Sequence, residues 1–318
     1  MARISARVFE LLGPGVAPRR VEKLRAIDRA GSALAMVMLA AVVGTWMAEE
    51  KAVEREAAAV SRNGVAGPEV GEAAGAETMV AGYLGAPYTY ASSVRIVNPA
   101  EKTDFTMPDV EWEGKPFKSP IYYGVRVARW GTSNRIGTMV DFTHSKTISK
   151  PEQEVEFKGL INGAPAPVKA KIGAMFKHLE FSHGHNMLTL NGLFRLANLT
   201  PRLSAYVGAG GGVALPHTEV QMRDEAKRSY EYQYTGPVAQ GLVGLEFRLA
   251  ETSVFFEYKF TFADYAAPLT RMDGTWLFMD LWREIGMWWR GEAPAGGRLD
   301  TKLASHQVIG GVGYRFGR

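Results

Sequence analysis

Residues 253–265 read SVFFEYKFTFADY, and one alternation runs through them. Val254, Phe256, Tyr258, Phe260 and Phe262 fall on one side of an extended chain, and Ser253, Glu257, Lys259 and Thr261 on the other. Successive side chains of a strand point to opposite faces, so this is a strand with an oily face and a charged one. The same scheme recurs upstream. Ala239, Val243, Leu245, Phe247 and Leu249 oppose Gln240, Glu246 and Arg248, and Ile121, Tyr123, Val125 and Val127 oppose Tyr122, Arg126 and Trp130. A water-soluble sandwich turns its oily faces inward. A lipid-embedded barrel turns them out and pairs its charges in the lumen.

Eight such segments are expected, near Thr78–Tyr90, Ile121–Trp130, Ile136–Lys146, Leu179–Leu196, Leu203–Glu219, Tyr232–Leu249, Ser253–Tyr265 and Thr301–Phe316. Connections two–three, four–five and six–seven are short turns, whereas most of the others are long, and alternating short and long loops favour a membrane barrel. The expected fold class is therefore all-β, an eight-stranded antiparallel up-and-down transmembrane barrel over residues 78–318 with an N-terminal helical signal or anchor segment. That segment occupies 1–48. Arg19, Arg20, Lys23, Arg25 and Arg29 precede the uncharged run GSALAMVMLAAVVGTWMA at 31–48, a pattern that directs export of the downstream chain. Residues 49–77, rich in Ala, Glu and Gly, read as a linker.

Composition excludes several classes. The 318-residue chain has no cysteine, which rules out disulfides, thiolate nucleophiles and iron–sulfur clusters. Its net charge of +4 comes from dispersed charges of both signs, so no nucleic acid is expected as partner. GAGGG at 208–212 lacks the spacing of a dinucleotide loop and lies within a strand.

The six histidines, His144, His178, His183, His185, His217 and His306, all map to the external end of the expected barrel. His183 and His185, at i and i+2, are expected to point inward together and to offer two imidazoles to one metal. His217, Glu219, Asp141, Glu180 and Glu257 are possible completing ligands. Ser182 beside His183 suggests a hydrolase, but adjacent strand residues face opposite ways, which sets the pair apart. WLFMDLWREIGMWW at 276–289 places Trp276, Trp282, Trp288 and Trp289 at roughly helical spacing, suiting either a short helix at a membrane interface or self-packing of the loop.

The segments PYTY, SPIYYG, MVDFTHSK, LEFSHGHNMLTLNGLFRL, LPHTEV, YEYQYTGP, FFEYKFTFADY, LWRE and LASHQVIGG, which span most of residues 80–312, resemble the outer-membrane lipid A oxidases. The resemblance implies an oxidoreductase of the bacterial outer membrane that converts the proximal glucosamine of lipid A to 2-aminogluconate, and a monomer is expected. Molecular oxygen would be co-substrate and lipopolysaccharide of the outer leaflet the partner. Without thiolates or a nucleotide fold, a divalent or redox metal held by His and carboxylate is the remaining route for two-electron chemistry. His183 and His185 are the expected ligands, with His217 and Glu219 beside them. Asp141 or Glu257 is the expected general base, and Arg126 and Lys146 are candidates for an acidic headgroup. Two other functions fit the same architecture, a lipid A deacylase and a non-catalytic structural or adhesive barrel.

Overall fold

Each of the alternating segments becomes a strand in the computed structural model, which describes residues 76–274 and 276–317. The expected signal or anchor helix and all but the last two residues of the linker lie outside the described residues. We number the strands β1 (Glu77–Thr89), β2 (Tyr123–Trp130), β3 (Ile136–Ser149), β4 (Phe176–Asn198), β5 (Leu203–Ala214), β6 (Gly236–Leu249), β7 (Thr252–Pro268) and β8 (Arg298–Phe316). Each pairs antiparallel with the next, and β1 pairs with β8 as well as with β2, so the ladder returns to its start. Such a ring leaves no unpaired edge over the shared length.

The polarity is inverted relative to a water-soluble core. On β7, Phe256 is 64% exposed while Lys259 on the opposite face is 0% exposed, and Val254, Tyr258, Phe260 and Phe262 join Phe256 on the outside. Leu188, Leu190, Val243, Leu245, Phe247, Val308 and Val312 continue this apolar girdle around the other strands. An isolated charge could not be buried inside, so the inward charges pair. The Arg126 guanidinium donates to both Glu257 carboxylate oxygens at 2.8 and 3.0 Å and lies 3.3 Å from Asp141. Lys259 donates to Asp141 at 2.8 Å, and the Tyr83 and Tyr206 hydroxyls donate to Asp141 and Glu257, each at 2.9 Å. Arg195 with Glu246 and Arg315 with Glu77, both at 3.0 Å, fill the end nearer the short turns. Above them an apolar layer that includes Phe105, Met107, Phe157, Phe181, Leu299 and Leu303 occupies the other end.

The structure departs from expectation where the ring meets its long loops. The fifth strand ends at Ala214 rather than running to Glu219. Pro216 has no N–H to give a ladder, and beyond it His217–Met222 forms a separate rim strand that pairs with the top of β4. The sixth begins at Gly236, not Tyr232. Gly236 has φ 144°, and a Cβ there would lie 2.0 Å from the Asp264 carbonyl oxygen. Ser229–Tyr232 is instead a second rim strand, paired with the first.

One helix, α1 (Leu277–Arg290), packs beside that second rim strand and ends on Gly291 in the left-handed conformation. Its carboxylates accept from two backbone N–H groups: Asp280 from the Tyr232 N–H at 3.2 Å and Glu284 from the Tyr234 N–H at 2.8 Å. Burial raises the Glu284 carboxyl from 4.5 to about 7. For an acid raised on docking, the ionised form is the disfavoured one, so helix attachment weakens as pH rises from about 4.5 to about 7. Glu284→Gln keeps an acceptor without the charge. Amide exchange in α1 should be slower in this variant at pH 8, by an amount on the order of 1–2 kcal/mol, and equal to the native rate at pH 4. Equal exchange at both pH values would refute the assignment.

Candidate metal centre

Three strands at the rim lay the site out. Register sets His178 opposite Gln221 and Glu180 opposite Glu219, and on the next strand Glu219 opposite Tyr230 and His217 opposite Tyr232. Directly opposed residues share a face, and so do residues two apart. His178, Glu180, His217, Glu219, Tyr230 and Tyr232 therefore line one face, while Leu179, Val220 and Met222 pack the apolar layer behind it.

On that face His178 Nδ1 lies 3.2 Å from Glu180 and 3.4 Å from Glu219, and one donor atom from each of the three lies within 4.8 Å of the others. His183 joins them with Nδ1 3.5 Å from Glu219. It does so through a bulge. Phe181 pairs with Thr147 and His185 with Ser145, so Ser182, His183 and Gly184 together oppose Lys146 alone. Gly184 sits at φ 146°, where a Cβ would meet the Asn186 amide at 2.4 Å.

The bulge corrects the expectation that His183 and His185 act as a pair. It turns His183 outward to the rim cluster, whereas His185 points inward, is 1% exposed, and engages the Tyr265 hydroxyl through Nδ1. The two imidazoles thus have separate surroundings, Glu219 for His183 and Tyr265 for His185. The bulge also overrides the facing argument for Ser182, whose hydroxyl lies 3.2 Å from His183 Nδ1 and 3.3 Å from Glu219. Serine and carboxylate meet the same ring nitrogen, however. A hydrolytic relay needs one on each nitrogen, so the proximity does not make a triad.

His217 is enclosed by Tyr230 at 4.3 Å and Tyr232 at 4.6 Å between ring centroids, with the His183 ring at 5.5 Å. The Gly274 backbone hydrogen-bonds the ring, while Nδ1 is buried without a partner. Burial, with the neighbouring His183, lowers its pKa to about 4. The ring is neutral at physiological pH and offers a lone pair, with its other nitrogen held by the backbone as metal-binding histidines usually are. Burial works against ionisation of Glu219, but the His183 hydrogen bond and the His178 and Arg228 charges outweigh it and hold the carboxyl below its ordinary range. Arg228 donates to Glu219 at 2.6 Å and to Asp273 at 3.1 Å. Imidazoles beside carboxylates are the donor set that Zn, Fe, Ni or Cu takes from proteins, so the residues present fit a metal of that kind.

The other expected site residues lie elsewhere. Asp141 and Glu257 are sealed in the lumen with Arg126 and Lys259 and do not join the cluster, because alternation turns them inward on the ring strands whereas the cluster faces out. Arg126 is committed to those two carboxylates. Lys146 stands at the edge of the site opposite the bulge, where its ammonium donates to the Lys118 carbonyl at 2.5 Å. His144 stacks on Tyr123 at 4.8 Å and pairs with Asn186 at 2.8 Å. His306, the ninth of nineteen residues of β8, belongs to an outward aromatic group with Tyr88 and Tyr90. Tyr230 and Arg228 are the members that sequence reasoning passed over, and His178 was placed in the histidine group but not among the ligand candidates. The signal for His178 was present, since His178, Glu180 and Ser182 alternate on one face just ahead of the bulge.

No protein-family model matches this chain, and no curated protein matches it. Solved structures similar to it include Neisserial surface protein A (9% identity, TM-score 0.34, covering 76% of this chain and 99% of that one). Ail, the attachment invasion locus protein of Yersinia pestis, crystallised with the heparin analogue sucrose octasulfate, is 11% identical with a TM-score of 0.30 and covers 76% of this chain and 99% of its own. The N-terminal β-barrel domain of Pseudomonas aeruginosa OprF is 12% identical with a TM-score of 0.28, covering 76% of this chain and 98% of that domain.

Proposed function

We propose that this chain is an enzyme of the bacterial outer membrane that oxidises the proximal glucosamine of lipid A to 2-aminogluconate, using molecular oxygen and a metal held at the rim. The observation that carries this reading is the convergence of His178, Glu180 and Glu219, with His183 beside them, on an outward face at the end of the ring where the long loops lie. A lipid whose acyl chains lie along the girdle presents its sugar at that height. A cluster inside the lumen could not receive it.

The chemistry assigns work to the chain's own residues. His178, Glu180, His183 and Glu219 would hold the metal, with His217 Nδ1 adjacent, and the metal would supply Lewis acidity and an electron path to oxygen. Arg228 keeps Glu219 ionised while the cluster is formed. Glu180, which makes no arginine contact among the described residues, is placed to accept the proton of the C1 hydroxyl. Two electrons and two protons leave the hemiacetal and pass to oxygen, giving the lactone and hydrogen peroxide. Water then opens the lactone to the acid. Tyr230 and Tyr232 wall the site and limit water access.

The test is incubation of the purified full chain with lipid A bearing a free anomeric hydroxyl, under air and under nitrogen, followed by mass spectrometry. The expected product is heavier by one oxygen atom, forms only under air and is accompanied by one peroxide per lipid. Loss of an acyl chain would instead mark a hydrolase working through Ser182, and unaltered lipid with no peroxide a passive barrel.

A further inference from the structure

We infer that α1 is a bilayer-docking element, resting at the headgroup–acyl boundary of the outer leaflet beside the metal centre and fixing the height at which a lipid meets it. The inference rests on the membrane reading of the girdle but not on the oxidase reading. Phe278, Trp282, Ile285 and Trp289 recur at i, i+4, i+7 and i+11 and form one stripe, which Met279 and Trp288 widen. All six are exposed, Trp282 and Trp288 at 77% and Trp289 at 82%. Isolated exposed apolar residues need no explanation, whereas a contiguous patch with three indoles does.

The opposite face of the helix is already committed. Asp280 and Glu284 cap the Tyr232 and Tyr234 N–H groups, and Arg283 pairs with the buried Glu231, which also accepts from Thr270 and Gln233. These bonds fix the rotation of the helix, so the indoles cannot fold back onto the protein. Of the possible occupants of the stripe, the bilayer is the one its position selects. Asp280 meets Tyr232 and, one turn on, Glu284 meets Tyr234, two residues before β6 enters the ring at Gly236. The helix thus follows the chain toward the girdle, and Trp288 and Trp289 lie a further turn in that direction. Farther along β6 the outward residues Val243, Leu245 and Phe247 are exposed and apolar as well, as a lipid-facing strand requires. Indole, with an apolar body and one N–H, partitions to this boundary in preference to the hydrocarbon centre or to water.

The consequence is lateral access. Tyr232, which α1 clamps, also encloses His217, so the anchored helix and the metal centre share one strand. A lipid diffusing in the leaflet would meet the indoles and the cluster together.

The test uses the full chain folded into phosphatidylcholine vesicles, brominated at acyl carbons near the headgroup or not brominated, with tryptophan emission as the readout. Three of the chain's seven tryptophans are on the stripe. The expected result is strong quenching of the native chain that falls about twofold in Trp282→Phe/Trp288→Phe/Trp289→Phe. Ile285→Asp, which keeps the indoles but charges the stripe, should reduce quenching in the same direction. Folding of each variant is checked by the electrophoretic shift between unheated and heated samples. Equal quenching in folded native and triple-variant protein overturns the proposal, as does protection of the indoles that appears only on dimerisation, which would assign the stripe to a second copy. Because no turnover is read, failure of the oxidase reading would leave this result unchanged.

Discussion

Glu219→Gln is expected to weaken Zn(II) binding by at least about a hundredfold and to bring lipid oxidation below detection, while His185→Ala leaves Zn(II) affinity within a few-fold of native. The contrast stems from the bulge. Glu219 is the hub of the rim cluster, touching His178, His183, Ser182 and Arg228, and the glutamine amide keeps its size but loses the charge that balances a cation. His185 lies on the far side of β4, tied to Tyr265. Removing it leaves a buried tyrosine hydroxyl without that partner and costs stability, on the order of 1–3 kcal/mol, without touching a ligand. Equilibrium dialysis of the refolded protein against Zn(II), with competition by a chelator of known affinity, reads both variants. A loss in His185→Ala as large as in Glu219→Gln would restore the i, i+2 pair and refute the everted His183. Native affinity in Glu219→Gln would remove the rim cluster as the metal site.

The eight strands were legible because the signal for each is local. Period-2 alternation in residues 253–262 needs no knowledge of a partner strand, and the structure keeps its two faces as read. What was not legible is set by register and by single backbone events. The divergence of His183 from His185 depends on Gly184 at φ 146° and on how many residues of β4 oppose Lys146, and alternation dictates neither. Pro216 cannot donate to a ladder, but where the segment after it pairs is a tertiary fact, and its partner is the top of β4. Because that pairing creates the cluster, His178 and Tyr230 could not be joined to Glu219 from sequence spacing alone. The inward carboxylates fail as base candidates for a related reason. Parity says that Asp141 and Glu257 face the lumen, but only the folded ring shows them saturated by Arg126, Lys259, Tyr83 and Tyr206.

That saturation makes Arg126→Ala the substitution with the largest expected loss of stability, about 3–5 kcal/mol. Arg126 holds both Glu257 oxygens and also reaches Asp141, all within a lumen where these side chains are at most 1% exposed. Truncation leaves Glu257 with the Tyr206 hydroxyl and Asp141 with Lys259, so it is Glu257 that becomes a buried charge without a counter-charge. The cost is therefore mostly the stranded carboxylate rather than the lost attraction, and it should be recoverable. Arg126→Met with Glu257→Gln removes both charges, fills most of the volume and is expected to regain more than half of the loss. Urea unfolding in detergent micelles, followed by the same electrophoretic shift, measures all three proteins. If the double variant were no more stable than Arg126→Ala, packing rather than charge would be the cause. Turnover per folded molecule should match native in both, because the lumen network braces the ring from inside while the reacting groups gather on its outer rim.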